Sequence, residues 1–457
     1  MANNKWFGTD GVRGKANTFP MTVDFTTKLG MAAGQLICTS KHRVAIAQDT
    51  RISGDMLEAA LIAGFTSQGV DVIKLGVIPT PALTTLTPEL DVDMSVMITA
   101  SHNPYQDNGI KLISADGSKF SDDITAKIEA LIDKNEFSFS PDHIGKTTIN
   151  DSAINDYCQI ALSMSSQNKP LSGLKIVLDC ANGCFSDILP HIFNQYGAQT
   201  IVLSNTPNGT NINLNCGSQH TANMCQEVIK NQADLGIAVD GDGDRIIVCD
   251  EKGQSLDGDQ IIAFLGQYFH NTHQLKGNTV VATIVSNPAL DRFLSTLGIN
   301  CVRSAVGERY VIDEMEKYGS NIGGEESGHM VLSDYSKTGD ALMTGLVLAI
   351  GLKKSQSKMS QLFPLFTPMS CRRNDAKFKT TDEMKDAFEN SAFKTAIQKG
   401  EQQINSKGKI LIRKSGTEPK IQVWSWSDDV FLAEEINLNI ISVLEQLNGF
   451  ESIKKVR

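Results

Sequence analysis

Hydrophobic residues fall in short blocks along this chain, and a distinctive polar loop closes each of three successive groups of blocks. Residues 44–47 predict a strand that Asp49 and Arg51 close, and residues 55–68 then place Leu57, Ala60, Leu61, Gly64 and Phe65 at helical spacing. Residues 70–75 predict a second strand and 81–86 open another helix, before the apolar run Met94–Ile98 leads to Ser101. The cadence restarts at Lys175–Asp179 and passes through a helix at 186–196, a strand at 200–203 and a helix at 221–232. It then enters the run Leu235–Val239 and reaches Asp240. A third round starts at Thr279–Thr283, continues through helix 289–297, strand 301–304 and helix 309–317, and ends in the polar residues 324–329. Strands alternating with helices of this length predict parallel sheets faced by helices. Repeats of this kind place equivalent strand ends on one side of each sheet, so their loops would converge on a central cleft.

The last stretch departs from that rhythm. A helix over 381–403, a strand at 409–412, a basic loop at 413–419, a strand at 420–426 and a helix over 430–447 predict a smaller α+β domain. The expected architecture is α/β: three tandem βαβαβ-type α/β domains plus a smaller C-terminal α+β domain, with boundaries at 1–150, 151–255, 256–368 and 369–457. A chain of 457 residues is too long for one core, which agrees with that division.

Composition narrows the function. A net charge of −10 argues against a nucleic-acid partner, which needs a basic face. It leaves open a small phosphorylated substrate, because a site is charged locally. The nine cysteines are odd in number, and the closest pair, Cys180 and Cys184, lacks CxxC spacing, a pattern of reduced thiols in a cytoplasmic protein. No apolar targeting segment opens the chain, and the longest apolar run, 341–352, is about 12 residues against the roughly 20 a bilayer requires. A buried helix is expected there, with no membrane partner.

Candidate chemistry sits in the loops. Asp240, Asp242 and Asp244 alternate with glycines, an oxygen-only set suited to Mg²⁺ or Ca²⁺. Arg245 at the sixth loop position and strand-like flanks argue against a calcium-binding helix–loop–helix. Arg413, Ser415, Gly416 and Thr417 form an anion cradle: a guanidinium, two hydroxyls and a glycine for close backbone approach. Glu325, Ser327 and His329 offer carboxylate, hydroxyl and imidazole, a set suited to a hydroxyl-rich sugar. The glycine-rich turn 8–14 holds Arg13, a further anion contact. Only His102 and His329 among the eight histidines lie in these loops; the rest are expected to be structural. A serine hydrolase built on Ser101 and His102 lacks the Gly-x-Ser-x-Gly elbow, and adjacent residues rarely turn their side chains toward each other. A catalytically silent Ca²⁺- or sugar-binding protein is the remaining alternative outside enzymes. Nucleotide motifs fail too: Ser140 replaces the first glycine of a P-loop ending at 145–147, and the glycines at 241 and 243 precede a strand.

Taken in order, the segments 6–14, 99–111, 240–245, 324–329 and 413–419 resemble the motifs of the α-D-phosphohexomutase family over nearly the whole chain. The resemblance implies an intramolecular phosphotransferase of the isomerase class, in which Ser101 carries the phosphoryl group and one Mg²⁺ per chain is held by Ser101, Asp240, Asp242 and Asp244. It implies His102, Lys111 and Arg245 as catalytic groups, with Lys111 a candidate general base. Arg13, Arg51, Glu325, Ser327, His329, Arg413, Ser415, Gly416 and Thr417 are implied as substrate contacts. The segments 7–14 and 413–419 look most like the amino-sugar branch, which interconverts glucosamine 6-phosphate and glucosamine 1-phosphate through a 1,6-bisphosphate, on the route to UDP-N-acetylglucosamine and cell-wall precursors. A branch acting on mannose or glucose phosphates is the alternative, and the family suggests a homodimer. Two positions depart from the pattern: Glu326 stands where an amide is commoner, and Gln422 where arginine is common.

Overall fold

The computed structural model describes residues 5–8, 10–415 and 418–456. Two compact units divide the chain, Met1–Ala282 with Ser304–Pro364, and Thr283–Arg303 with Leu365–Arg457.

Strands whose residues are all apolar or small are buried on both faces, as interior parallel strands require. Met94–Ile98, Leu235–Val239 and Thr279–Thr283 are buried at every residue. In the first unit, Arg43–Gln48 lies parallel to Asp71–Val77 on one side and to Met94–Ile98 on the other, and Asp107–Ser114 returns antiparallel to Met94–Ile98. Lys175–Asp179 lies parallel to Gln199–Leu203 and Leu235–Val239, and Ile246–Asp250 returns antiparallel. Thr279–Thr283 pairs in parallel with Ile322–Gly324, and Met330–Leu332 returns antiparallel. Each polar loop therefore joins the last parallel strand of its repeat to an antiparallel return strand. That return is the element a plain βαβαβ reading leaves out, although the run Ile110, Leu112, Ile113 carries its signal.

Helices cover these sheets closely. Val23–Ile37 crosses Gly54–Ser67 where two glycines meet: a Cβ on Gly64 would lie 2.4 Å from the Thr27 carbonyl oxygen and 3.0 Å from Gly30 Cα. Leu29, Phe65, Val72 and Val96 share the core below. Ala341–Ser355 is the expected buried helix, started by Asp340, whose carboxylate accepts the Met343 N–H at 2.9 Å. Among the described residues no helix is long and apolar enough to cross a membrane. None of the nine cysteines, all among the described residues, is joined in a disulfide.

In the second unit a four-stranded antiparallel sheet runs in the order Gly408–Lys414, Lys420–Ser427, Ser370–Phe378, Phe450–Lys455. Its strands Ser370–Phe378, inside the sheet, and Phe450–Lys455, at its edge, escape the sequence pattern because polar residues interrupt them. The single helix expected over 381–403 is two, Thr381–Glu389 and Ser391–Ile404. Asn390 is extended between them and its side chain caps the second, accepting the Ala392 N–H at 2.8 Å. Pro288–Thr296, which the cadence assigns to the third repeat, packs Ala289 against Met369, Trp424 and Trp426 of this unit.

Candidate active site

Ser101 lies just beyond Met94–Ile98, fully buried and at φ 53°, in the left-handed region that a serine seldom adopts. A network of side chains over-determines that conformation. The Ser101 N–H donates to Thr99 Oγ1 at 2.9 Å, and Thr99 Oγ1 donates to Asp49 Oδ2 at 2.7 Å. Arg51 Nε donates to Asp49 Oδ2 at 2.8 Å; its Nη2 reaches the carbonyls of Ser101 and Asn103, and its Nη1 those of Pro104 and Asp107. From the second repeat, Asn213 Nδ2 donates to the Ser101 carbonyl at 2.9 Å. Arg51 thus spends all five guanidinium N–H groups inside the protein, with none of its side chain exposed. Arg51, expected as a substrate contact, fastens the serine loop in this arrangement.

The Ser101 hydroxyl donates to Asp240 Oδ2 at 2.7 Å, so the first and second loops meet. Gly243, at φ 77°, lets the aspartate loop curl so that Asp240, Asp242 and Asp244 bring one oxygen each within 4.8 Å of one another. Asp240 Oδ1 accepts the Arg245 N–H at 3.1 Å, and Asp242 Oδ2 accepts from Thr80 Oγ1 at 2.6 Å. Asp242 Oδ1 and Asp244 Oδ1 are buried and accept no hydrogen bond. Burial, then the neighbouring Asp244 and Asp242, drives the Asp240 carboxyl well above the usual range. Three crowded carboxylates, two of whose oxygens accept no hydrogen bond, fit a hard, oxygen-seeking cation.

Lys111 Nζ lies 2.8 Å from Asp242 Oδ2, 3.1 Å from Asp244 Oδ2 and 3.2 Å from Asp10 Oδ2. Burial works against its charge, yet Asp10, Asp242 and Asp244 together hold its pKa well above that of an ordinary lysine. An ammonium so held favours electrostatic work over the general-base role. His102 Nδ1 is 3.4 Å from Ser101 Oγ. Burial, followed by Arg245 and Arg13, pushes its pKa down to about 4, so the imidazole is neutral at pH 7.

The third loop closes on the second. The Ile246 N–H donates to the Gly328 carbonyl at 2.9 Å, and Arg245 and His329 form an isolated bridge. Glu325 Oε1 accepts the Gly307 N–H at 2.8 Å, with Ser327 Oγ 3.4 Å from its other oxygen. His329 Nδ1 lies 3.7 Å from Asp244 Oδ1 and Nε2 3.1 Å from Glu308 Oε1. Burial disfavours the imidazolium, but Glu308 and Asp244 raise its pKa to about 10. Arg13 pairs with Asp10 and is about a quarter exposed.

The structure therefore gathers Ser101, His102, Lys111, Asp240, Asp242, Asp244, Arg245 and His329 from three repeats, with Arg13, Glu325 and Ser327 in the same unit. Arg413 and Ser415 belong to the second unit, where Arg413 stands opposite Gln422 and Ser415 Oγ accepts the Glu418 N–H at 3.3 Å. Gly416 and Thr417 lie outside the described residues. Gln422 Nε2 is 3.5 Å from Asp375 Oδ2, as is Lys420 Nζ, and Lys420 also pairs with Glu418 at 2.6 Å. Sequence reasoning missed Thr80, Lys119, Asn213 and Glu308. Each is a common polar residue whose partner lies far off in the chain, so no local pattern marks it.

A buried serine set against a carboxylate triad, where three α/β repeats meet, is the architecture of a group-transferring enzyme, and known proteins narrow the class. Four models described as phosphoglucomutase/phosphomannomutase match in order: α/β/α domain I at residues 4–139, domain II at 155–253, domain III at 257–369 and the C-terminal domain at 371–436. The chain belongs to the phosphoglucomutase/phosphomannomutase family. It is 44% identical to a phosphoglucosamine mutase of Paramagnetospirillum magneticum, across 97% of this chain and 99% of that one. A phosphoglucosamine mutase of Bartonella quintana is also 44% identical, across 98% of each chain. Among solved structures, a family protein from Burkholderia thailandensis superposes with a TM-score of 0.81 at 21% identity, covering 97% of this chain and 98% of that one. The Aspergillus fumigatus N-acetylphosphoglucosamine mutase, in complex with GlcNAc-6P and magnesium, gives 0.61 at 16% identity over 89% and 83%. These two likenesses concern the fold.

Proposed function

We propose that the chain is a phosphoglucosamine mutase, interconverting glucosamine 6-phosphate and glucosamine 1-phosphate with Ser101 as the phosphoryl carrier. The observation that carries this is the buried Ser101 hydroxyl, 2.7 Å from a member of a carboxylate triad in which Asp242 Oδ1 and Asp244 Oδ1 accept no hydrogen bond. Full-length relatives at 44% identity bear that name, which supports the amino-sugar substrate.

Phosphoryl transfer depends on alignment and charge neutralisation far more than on acid–base chemistry. Asp240, Asp242 and Asp244, with the phosphoryl group of Ser101, would hold Mg²⁺, which when bound neutralises charge on the phosphoryl oxygens. The free hydroxyl of the substrate forms a bond to phosphorus as the bond from phosphorus to Ser101 Oγ breaks, and the hydroxyl proton ends on Ser101 Oγ. The product of this half-reaction is the 1,6-bisphosphate. In the opposite orientation, that compound returns its other phosphoryl group to Ser101. Lys111 and Arg245 add fixed positive charge, His102 a neutral ring nitrogen, and Arg51 holds the serine backbone still. Glu325, Ser327 and His329 take the sugar hydroxyls. Arg13 offers charge for an anion in the first unit, and in the second unit Arg413 and Ser415, with Gly416 and Thr417, are the residues for the non-reacting phosphate.

A coupled assay comparing glucosamine, mannose and glucose 6-phosphates tests the substrate. Preferential turnover of the glucosamine ester supports the reading, whereas a higher kcat/KM for mannose or glucose phosphate replaces it with that of the neutral-sugar branch. Glu326 is the position to watch, since its carboxylate suits an ammonium-bearing sugar.

A further inference from the structure

Six side chains close into a ring beside the carboxylate triad, and five of them lie outside the three aspartates and the serine already described as a metal and phosphoryl site. Beginning at Asp244, the ring runs to Lys111 (3.1 Å), from Lys111 to Asp10 (3.2 Å), and from Asp10 to Lys119 (2.5 Å). Lys119 then pairs with Glu308 Oε2, Glu308 Oε1 faces His329 Nε2 at 3.1 Å, and His329 Nδ1 faces Asp244 at 3.7 Å. Carboxylates alternate with nitrogen-bearing groups all the way round. The first repeat supplies Asp10, Lys111 and Lys119, the second Asp244, and the third Glu308 and His329.

We propose that Glu308 and Lys119 are positioning residues, which set the His329 imidazole and the Lys111 ammonium against the aspartate loop. Neither reaches the reacting serine; each acts through its neighbours in the ring. The inference rests on the mutase reading for the roles of His329 and Lys111.

Glu308 is built for this task. It opens the helix Glu308–Tyr318, where the helix N-terminus favours a carboxylate. Its Oε1 also accepts from Thr338 Oγ1 and, at 3.3 Å, from the Gly339 N–H, so it cannot follow His329 if the ring rotates. Lys119 ties Glu308 to Asp10 and so divides the Asp10 carboxylate: Oδ1 faces Lys119, leaving Oδ2 for Lys111 and Arg13. Without Lys119, both Asp10 oxygens are free to draw Lys111 away from Asp242 and Asp244. Without the Glu308 charge, His329 keeps one carboxylate partner of two. Removing one member of a buried ion pair strands its partner, whereas removing both members removes that penalty.

The test uses the full chain with three variants, Glu308→Gln, Lys119→Met and the double variant, together with Lys119→Arg. Glu308→Gln should raise KM for the sugar phosphate and Lys119→Met should lower kcat, each by roughly 10- to 100-fold, the usual cost of losing an outer-layer partner. The double variant should lose less than the product of the two losses, and Lys119→Arg should retain most activity. Rates are normalised to folded protein by near-UV circular dichroism, so a merely structural role would leave kcat and KM unchanged. A second readout needs no substrate: in protein with ¹⁵N-labelled histidine, the His329 Nε2 signal, assigned with His329→Asn, should move in Glu308→Gln. If wild-type protein proves to have no mutase activity but that signal moves, the mutase reading falls and the positioning stands. An unmoved signal, or normalised kcat and KM equal to wild type in both single variants, overturns the proposal.

Discussion

Replacing Arg51 with methionine keeps the length of the stem and deletes five donors. Asp49, itself fully buried, would keep the Thr99 hydroxyl and the backbone N–H of residue 51 but lose the cation paired with it. Stranding one member of a buried pair costs about 3–5 kcal/mol. The carbonyls of Ser101, Asn103, Pro104 and Asp107 lose their donors as well, at roughly 1 kcal/mol each wherever water fails to replace the guanidinium. A loss of about 5 kcal/mol corresponds to a fall of roughly 10 °C in the unfolding midpoint at ~2 °C per kcal/mol, the low end for large domains. Released from its left-handed conformation, Ser101 should also leave its alignment, and a misplacement of about 1 Å costs on the order of 100-fold in rate. Differential scanning calorimetry and a coupled turnover assay measure the two effects. Adding Asp49→Asn to Arg51→Met should recover part of the stability, because the stranded charge goes, and little of the rate. A single variant that melts within about 2 °C of wild type and turns over normally would refute the reasoning.

Two further outcomes follow from the same geometry. Asp242→Asn keeps the side-chain volume but turns an oxygen that accepts no hydrogen bond into a weaker ligand or a donor, so Mg²⁺-dependent turnover should fall by at least ~100-fold with the melting temperature nearly unchanged; undiminished turnover would remove the metal assignment. Burial raises the Asp340 carboxyl to about 6, despite hydrogen bonds from the Met343 N–H and the Tyr157 hydroxyl. Its folded pKa exceeds its unfolded one, so its contribution to stability is fully present below about pH 4 and lost as pH rises through about 6. A shift of about two units corresponds to roughly 3 kcal/mol. Asp340→Asn should flatten that part of the denaturation midpoint's pH dependence between pH 4 and pH 6.5, and an unchanged slope would contradict the cause assigned.

Much of this site can be read from residue order alone, for a physical reason. Ser101 and the aspartate loop each follow a short apolar strand, and a strand buried on both faces leaves an unbroken hydrophobic signal, whereas the Glu325 loop follows Ile322–Gly324, whose two glycines leave none. What the pattern hides is pairing. Lys119 and Glu308 are ordinary surface-type residues until the first and third repeats bring them together, and Arg51 looks the same in sequence whether it faces a cleft or its own loop. Ser370–Phe378 is obscured for a related cause: it contains Arg372 and Asn374, whose partners Glu434 and Asn437 sit on the helix Val430–Glu445. Asn390 did carry a legible cap signal ahead of Ser391, and it marks the break between helices that periodicity alone runs together.

The central claim is that Ser101 carries a phosphoryl group, and intact-mass spectrometry of the protein tests it most directly. Wild-type protein incubated with a hexose 1,6-bisphosphate and Mg²⁺ should gain one phosphate-sized increment, map it to Ser101 on proteolysis, and lose it on exposure to the sugar monophosphate. Ser101→Ala should show no increment. Absence of the increment in wild type, or its persistence in Ser101→Ala, would contradict the account.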